Sequence, residues 1–234
     1  MHDKKTPVPV ICIDGPSGAG KGTIAQRLSD VLGWHLLDSG ALYRVVGYAC
    51  HQRGTAWDDI AGAASIARGL QVSFKSGGDG VDVFLAGADV TREIRSEFGG
   101  KGASAVAVIP EVRLALLARQ RELAVPPGLV ADGRDMGTEV FPHAPLKIFL
   151  TATAEARAER RQAQLLARGE NVSLPRLLEA IKERDARDSN REVSPLVAAE
   201  DAIVIDSTAL PIDGVLNRVL ALVAERGLSA RTSD

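Results

Sequence analysis

Val8 to Ile13 is a run of apolar, mostly β-branched residues that ends in Asp14-Gly15, and from Lys21 onward the apolar positions change to helical spacing, with Ile24, Leu28, Val31 and Leu32 on one face. The change of period predicts a strand, a glycine loop and a helix. Trp34 to Leu37 predicts a second short strand. After Asp38-Ser39-Gly40 the positions Leu42, Val45, Val46 and Ala49 predict a helix capped by Asp38 or Ser39. Between about residues 70 and 92 the pattern becomes LQVSF, then the turn-rich SGGDG, then VDVFLAGADV in period two, which predicts a small antiparallel insertion. Helical pattern runs from about Glu97 to Val108, breaks at Pro110, continues from Glu111 to Leu123, and stops at Pro126-Pro127-Gly128. Three further buried-type strands, GLVADG (128–133), LKIFLT (146–151) and AIVID (202–206), precede a terminal helix. The alternation of strands and helices predicts an α/β fold built on a parallel sheet of about five strands flanked by helices.

Composition narrows the function classes. A chain of 234 residues fits one domain, 1–234, with sizeable insertions. Lys plus Arg number 28 against 30 Asp plus Glu, so there is no general field to attract a nucleic acid polymer or an anionic membrane, and neither is expected as a partner. The N-terminal MHDKKTPVPV lacks the apolar stretch of a signal peptide, and no segment approaches the roughly 18 apolar residues of a membrane span, so a cytoplasmic protein is expected. Cys12 and Cys50 are read as buried reduced thiols. The four histidines have no ligand spacing, so no protein-built metal site is expected. Nothing in the apolar pattern demands a second copy, and a monomer is expected.

Gly15-Pro16-Ser17-Gly18-Ala19-Gly20-Lys21-Gly22-Thr23 lies between the first strand and the first helix, where a phosphate-binding P-loop belongs. Glycines let consecutive backbone N–H groups curl around a phosphate, the helix N-terminus adds partial positive charge, and Lys21 neutralises phosphate oxygens as a solvent-facing loop residue. One position departs from the strict pattern. Gly22 follows Lys21 where a Ser or Thr would ligate Mg²⁺, and the hydroxyl comes one place later at Thr23.

The Gly-Lys-Gly-Thr ending resembles the nucleoside monophosphate kinases. LLDSGALYR (36–44), ADGRDMGT (131–138), LKIFLTATAEARAERR (146–161) and IKERDARDSNR (181–191) together resemble the bacterial cytidylate kinases, in order, from about residue 8 to 226. The resemblance implies a P-loop kinase core at 8–37 and 128–228, a monophosphate-binding region at 38–127 that holds the insertion, and a short helical lid at 153–172. The implied reaction is transfer of a phosphoryl group from ATP, carrying Mg²⁺, to CMP or dCMP. Another small-acceptor P-loop kinase, of uridylate or shikimate type, and a silent nucleotide-binding regulatory module are the alternatives.

Such a kinase must hold two polyanions head to tail, so catalysis is positioning plus electrostatic stabilisation. The loop and Lys21 serve the donor. The resemblance implies Arg44, Arg134, Arg184 and Arg191 for the acceptor phosphate, Ser39 and Asp188 for sugar and phosphate, and Tyr43 packed nearby. Cytosine presents an N4 amino donor beside two acceptors. Asp135 can accept from N4, with Ser104 and Arg113 implied as partners, although Asp135 could instead pair with its neighbour or cap a turn. Asp132 occupies a position expected to link to Mg²⁺, and Arg157, Arg160 and Arg161 follow LKIFL as lid arginines, one or more acting as a finger on the transferred phosphate. Eight Arg between 157 and 191 are interleaved with acids, so a solvated ion-pair face is the plainer reading for most. Arg184, Asp188 and Arg191 would share a face of one helix.

Overall fold

The central strand β1 (Val10–Asp14) is buried at every position, the pattern of a strand covered on both faces. A computed structural model describes residues 8–77, 80–167 and 169–228. The glycine loop leads from β1 into α1 (Lys21–Leu32), which buries Ile24, Ala25, Leu28 and Leu32. Next come β2 (His35–Asp38), α2 (Ser39–Gln52) and α3 (Ile60–Arg68). The insertion follows as β3 (Val72–Gly77), β4 (Gly80–Leu85) and β5 (Ala88–Asp89). Three helices continue the chain: α4 (Thr91–Ile94), α5 (Glu97–Val106) and α6 (Pro110–Glu122). After β6 (Leu129–Asp132) a π-helical turn, Met136–Val140, precedes β7 (Leu146–Thr151). The chain then runs through α7 (Ala154–Leu166), α8 (Leu174–Ser189), β8 (Ile203–Asp206) and α9 (Ile212–Glu225).

These elements form two units, one running to Leu37 and resuming at Leu123, the other Asp38–Glu122. The five-stranded sheet has the order β2-β6-β1-β7-β8. β1 is parallel to β6, with Ile11 opposite Val130, and parallel to β7, with Ile13 opposite Ile148; β7 is parallel to β8. The core of the first unit joins Ile11, Ile13, Leu28, Leu146 and Ile148 to Val215, Val219 and Val223, one stripe of α9. The loop after β1 lies at the carboxyl end of the sheet, where open parallel sheets bind ligands. Gly15 is required there, since its φ is +144° and a Cβ on it would stand 2.0 Å from the carbonyl oxygen of Leu150 on β7.

The second unit contains the expected insertion, a three-stranded antiparallel sheet in the order β3-β4-β5. Part of the turn-rich SGGDG expected from the sequence, residues 78 and 79, lies outside the described residues. Asp38, the first of the two predicted caps, holds the start of α2, its Oδ1 accepting the N–H of Ala41 at 2.9 Å. The predicted helix break falls at residues 107–109, and Pro110 opens α6, where its missing N–H costs nothing. Helix α3 lies in a stretch for which the apolar pattern predicted no element.

Candidate active site

The loop between β1 and α1 ends at Gly20, the N-cap of α1. Its left-handed backbone offers no side-chain cap, and the first turn of α1 has no acid. The first N–H groups of the helix are thus left for an anion. Lys21 is not the solvent-facing residue expected. Its side chain is only 6% exposed and folds beneath the loop, Nζ donating to the carbonyl of Pro16 at 3.0 Å and standing 3.8 Å from Asp132 Oδ1. Burial, then the Arg134 guanidinium, lowers its pKa from 10.5 to about 8 against the opposing pull of Asp132 and Asp14. Asp132, at the end of β6, also accounts for Gly22. Its Oδ2 lies 3.3 Å from where a Cβ on Gly22 would sit, so a carboxylate stands where the strict motif would start a side chain.

Nothing in the sequence pattern marks Asp14 as a site residue. It is buried at the end of β1, and its two oxygens accept the N–H groups of Met136 at 2.9 Å and Gly137 at 2.7 Å. Burial pushes its pKa up to about 6, opposed by those two bonds. The carboxylate ties the strand to the π-turn that follows Arg134 and Asp135. Asp135 is only 4% exposed, and its carbonyl accepts the N–H groups of Glu139 and Val140.

Asp188 gathers the basic groups of this unit. Arg134 Nε donates to its Oδ2 at 2.8 Å, and Arg191 stands 3.3 Å from its Oδ1 and donates Nε–H to its backbone carbonyl at 3.2 Å. Burial opposes ionisation of Asp188, but Arg134, Arg191 and Arg184 hold its pKa below the usual carboxylate value. The three-residue helical stripe expected here is corrected: α8 ends at Ser189 with Asn190 as its C-cap, so Arg191 lies beyond the helix and folds back. Arg184 is half-buried on α8, and its charge also lowers the pKa of Lys21.

The three arginines expected in a lid differ from one another. Arg157 is buried, Nε donating to the carbonyl of Ala152 at 3.0 Å, Nη1 to that of Ser17 at 3.0 Å, and both Nη groups to the carboxylate of Asp185 at 3.0 and 2.5 Å. Arg160 holds the segment after β8, donating to Ser207 Oγ at 3.1 Å and to the carbonyl of Ser207. Arg161, half-buried on α7, has neither ion pair nor hydrogen bond from its side chain among the described residues. Asp185 and Ser207 were not legible as site residues, because their partners are remote in sequence.

The second unit carries Ser39, Tyr43 and Arg44 on α2, Ser104 on α5 and Arg113 on α6. Ser39 Oγ donates to Gln120 Oε1 at 2.7 Å, a buried partner the sequence did not suggest. The Arg113 guanidinium lies 5.8 Å from the centre of the Tyr43 ring, within cation–π range, and Arg44 Nη1 donates to the carbonyl of Ile94 at 2.7 Å. Among the described residues no three His, Cys, Asp or Glu side chains are grouped to hold a metal, and no helix is long and apolar enough to cross a membrane.

The chain is similar in fold to an uncharacterized protein from Eubacterium ventriosum ATCC 27560, at 12% identity and a TM-score of 0.50, covering 93% of this chain and 98% of that one. It is 56% identical over 225 residues to the cytidylate kinase of Stutzerimonas stutzeri (strain A1501), covering 95% of this chain and 98% of that protein. To the cytidylate kinase of Marinomonas sp. (strain MWYL1) it is 53% identical over 221 residues, covering 94% and 97%. The family described as cytidylate kinase matches residues 11–225. With that match spanning the glycine loop, both units and α9, the chain belongs to the cytidylate kinase family.

Proposed function

We propose that this protein transfers a phosphoryl group from ATP to CMP or dCMP, giving ADP and CDP or dCDP. The observation that carries the reading is the shared electrostatics of the first unit, where Lys21 under the glycine loop lies in the field of Arg134 and Arg184. A donor cation beside acceptor cations is what head-to-tail phosphates require. The loop Gly15 to Thr23, through its amides other than at Pro16, which has no N–H, and through Lys21, holds the donor phosphates. Arg44, Arg134, Arg184 and Arg191 hold the acceptor phosphate, and Asp188 keeps two of those guanidiniums in place while contacting the sugar with Ser39. Asp135 accepts from the cytosine N4 amino group, Ser104 and Arg113 donate to the base, and Tyr43 supports Arg113. Uracil would turn an acceptor toward the Asp135 carboxylate, and a buried unpaired acceptor costs about 1–3 kcal/mol.

Mg²⁺ bound to ATP neutralises phosphate oxygens. Asp132, adjoining Gly22 and Lys21, is the donor-side carboxylate that fits such an ion. Of the three lid arginines, Arg161, whose side chain has no hydrogen bond or ion pair among the described residues, turns to the transferred phosphate, while Arg157 and Arg160 serve the donor side from fixed positions. In this reading the protein acts as a cytoplasmic monomer, with no nucleic acid polymer or membrane among its partners. The test is ADP production from MgATP with CMP, dCMP, UMP, shikimate or no acceptor. CMP-dependent ADP release well above the UMP rate supports the reading. Equal rates with UMP or shikimate, or none with any acceptor, overturn it in favour of another kinase or a silent module.

A further inference from the structure

Three carbonyl groups of the phosphate loop are tied by side chains. Pro16 O accepts from Lys21 Nζ at 3.0 Å, Ser17 O from Arg157 Nη1 at 3.0 Å, and Ala19 O from Ser207 Oγ at 3.1 Å. In a planar trans peptide the N–H points opposite to the C=O. Each tie therefore also aims an amide, turning the N–H groups of Ser17, Gly18 and Gly20 away from the group that ties them. Lys21 also serves the donor phosphates in the proposed function, so its own tie to Pro16 O stands apart. The other two ties are backed from behind. Asp185 takes both Nη groups of Arg157, and the Arg157 stem packs on the loop, its Cβ 3.2 Å from where a Cβ on Gly18 would stand. The Ser207 hydroxyl accepts from Arg160 at 3.1 Å, which directs its single proton to Ala19 O.

We propose that Asp185 and Ser207 are positioning residues of the ATP phosphate site, acting as a brace that presets the loop amides toward the donor phosphates. Asp185 acts through Arg157 on the Ser17–Gly18 peptide, and Ser207 acts directly on the Ala19–Gly20 peptide. The proposal rests on the reading of the loop as the ATP site. An amide that must first be turned contributes less to an oligophosphate, and losing one such charge-assisted bond weakens affinity about tenfold. Preset donors also need no reorganisation when charge moves in the transition state.

Calorimetric titration of MgATP into the full chain without acceptor, followed by steady-state kinetics, tests the brace with Asp185→Asn and Ser207→Ala. Each variant is expected to bind ATP about tenfold more weakly, with KM for CMP at saturating ATP within twofold of wild type. Asp185→Glu, which keeps a carboxylate for Arg157, should recover most of the ATP affinity. Unchanged ATP affinity in both variants, with only thermal stability reduced, would make the contacts purely structural and overturn the proposal. A KM for CMP that rises as far as the ATP Kd would overturn it too, placing Asp185 on the acceptor side with its neighbour Arg184. A wild-type chain that binds ATP but phosphorylates no CMP would defeat the substrate reading and leave the titration valid.

Discussion

Replacing Lys21 with methionine should abolish phosphoryl transfer and yet make the protein harder to melt at neutral pH. Burial and Arg134 lower the lysine pKa from 10.5 to about 8, a shift equivalent to about 3 kcal/mol by which the folded chain disfavours the charged side chain. Methionine keeps the bulk without the charge. Against this gain stands the lost bond to the Pro16 carbonyl, about 1–2 kcal/mol, the pull of Asp132 being already contained in the lowered pKa. A net gain of about 1–2 kcal/mol remains, which for a chain of this size is a rise in Tm of roughly 2–8 °C. The sign follows from proton uptake. Between pH 8 and 10.5 the unfolded chain keeps the lysine proton that the folded chain has lost, so wild-type stability rises with pH there by up to about 1.4 kcal/mol per unit. Below pH 8 both states are protonated and the handicap is complete. Thermal melts of Lys21→Met and wild type at pH 7 and pH 9.5 read this directly, since the variant should lead at pH 7 and lose that lead at pH 9.5. A lower Tm for the variant at pH 7, or a gap that ignores pH, refutes the account of Lys21 as a buried, destabilised cation. Turnover near wild type would refute its role in transfer.

Asp135→Asn should lose more kcat/KM with CMP than with UMP, narrowing the ratio about tenfold, because an amide can turn a donor or an acceptor to the base whereas a carboxylate only accepts. A uniform loss in steady-state assays would make Asp135 an orienting residue instead. Arg191→Ala should raise KM for CMP about tenfold or more and leave the ATP Kd within twofold, as titration and kinetics can show; equal loss of ATP affinity would move Arg191 to the donor side. Gly47→Ala would place its Cβ 2.6 Å from the backbone carbon of Gly102, forcing α2 and α5 apart. The cost should be about 1–3 kcal/mol, read as a Tm lowered by several degrees, and an unchanged Tm would mean that these helices part freely.

The strands of the main sheet were legible because they are continuous apolar runs bounded by turn residues, and β1, β6 and β7 are almost wholly buried. Helix α3 was not. Apart from Ile66 it buries only Ala63, Ala64 and Ala67, small side chains whose packing gives little contrast along a sequence. The glycine loop declared itself by spacing, but the position of its lysine did not, since nothing local says that Lys21 turns under the loop rather than out of it. Polar residues with remote partners were the hardest to foresee. Asp14 meets the π-turn 122 residues away, and Ser207 meets Ala19 across 188. Arg157, Arg160 and Arg161 share one segment and one residue type, so only three-dimensional contacts separate the two that are held from the one whose side chain has no hydrogen bond or ion pair among the described residues.

The discontinuity of the first unit sets the order in which the chain can become structured as it is made. β1 is synthesised before both of its sheet neighbours, which lie far downstream, Val10 facing Leu129 and Ile11 facing Leu146. At about 5–20 residues per second, roughly 6–24 seconds of synthesis separate β1 from its first partner strand. Throughout that interval Asp38–Glu122 emerges complete, with its helices and its own small sheet drawing on contacts already present. Val10–Asp14 has no such option. A nascent chain of this design carries an apolar strand with no sheet neighbour to pair with while an entire second unit is translated, and an unpaired apolar strand is a template for contact with other chains.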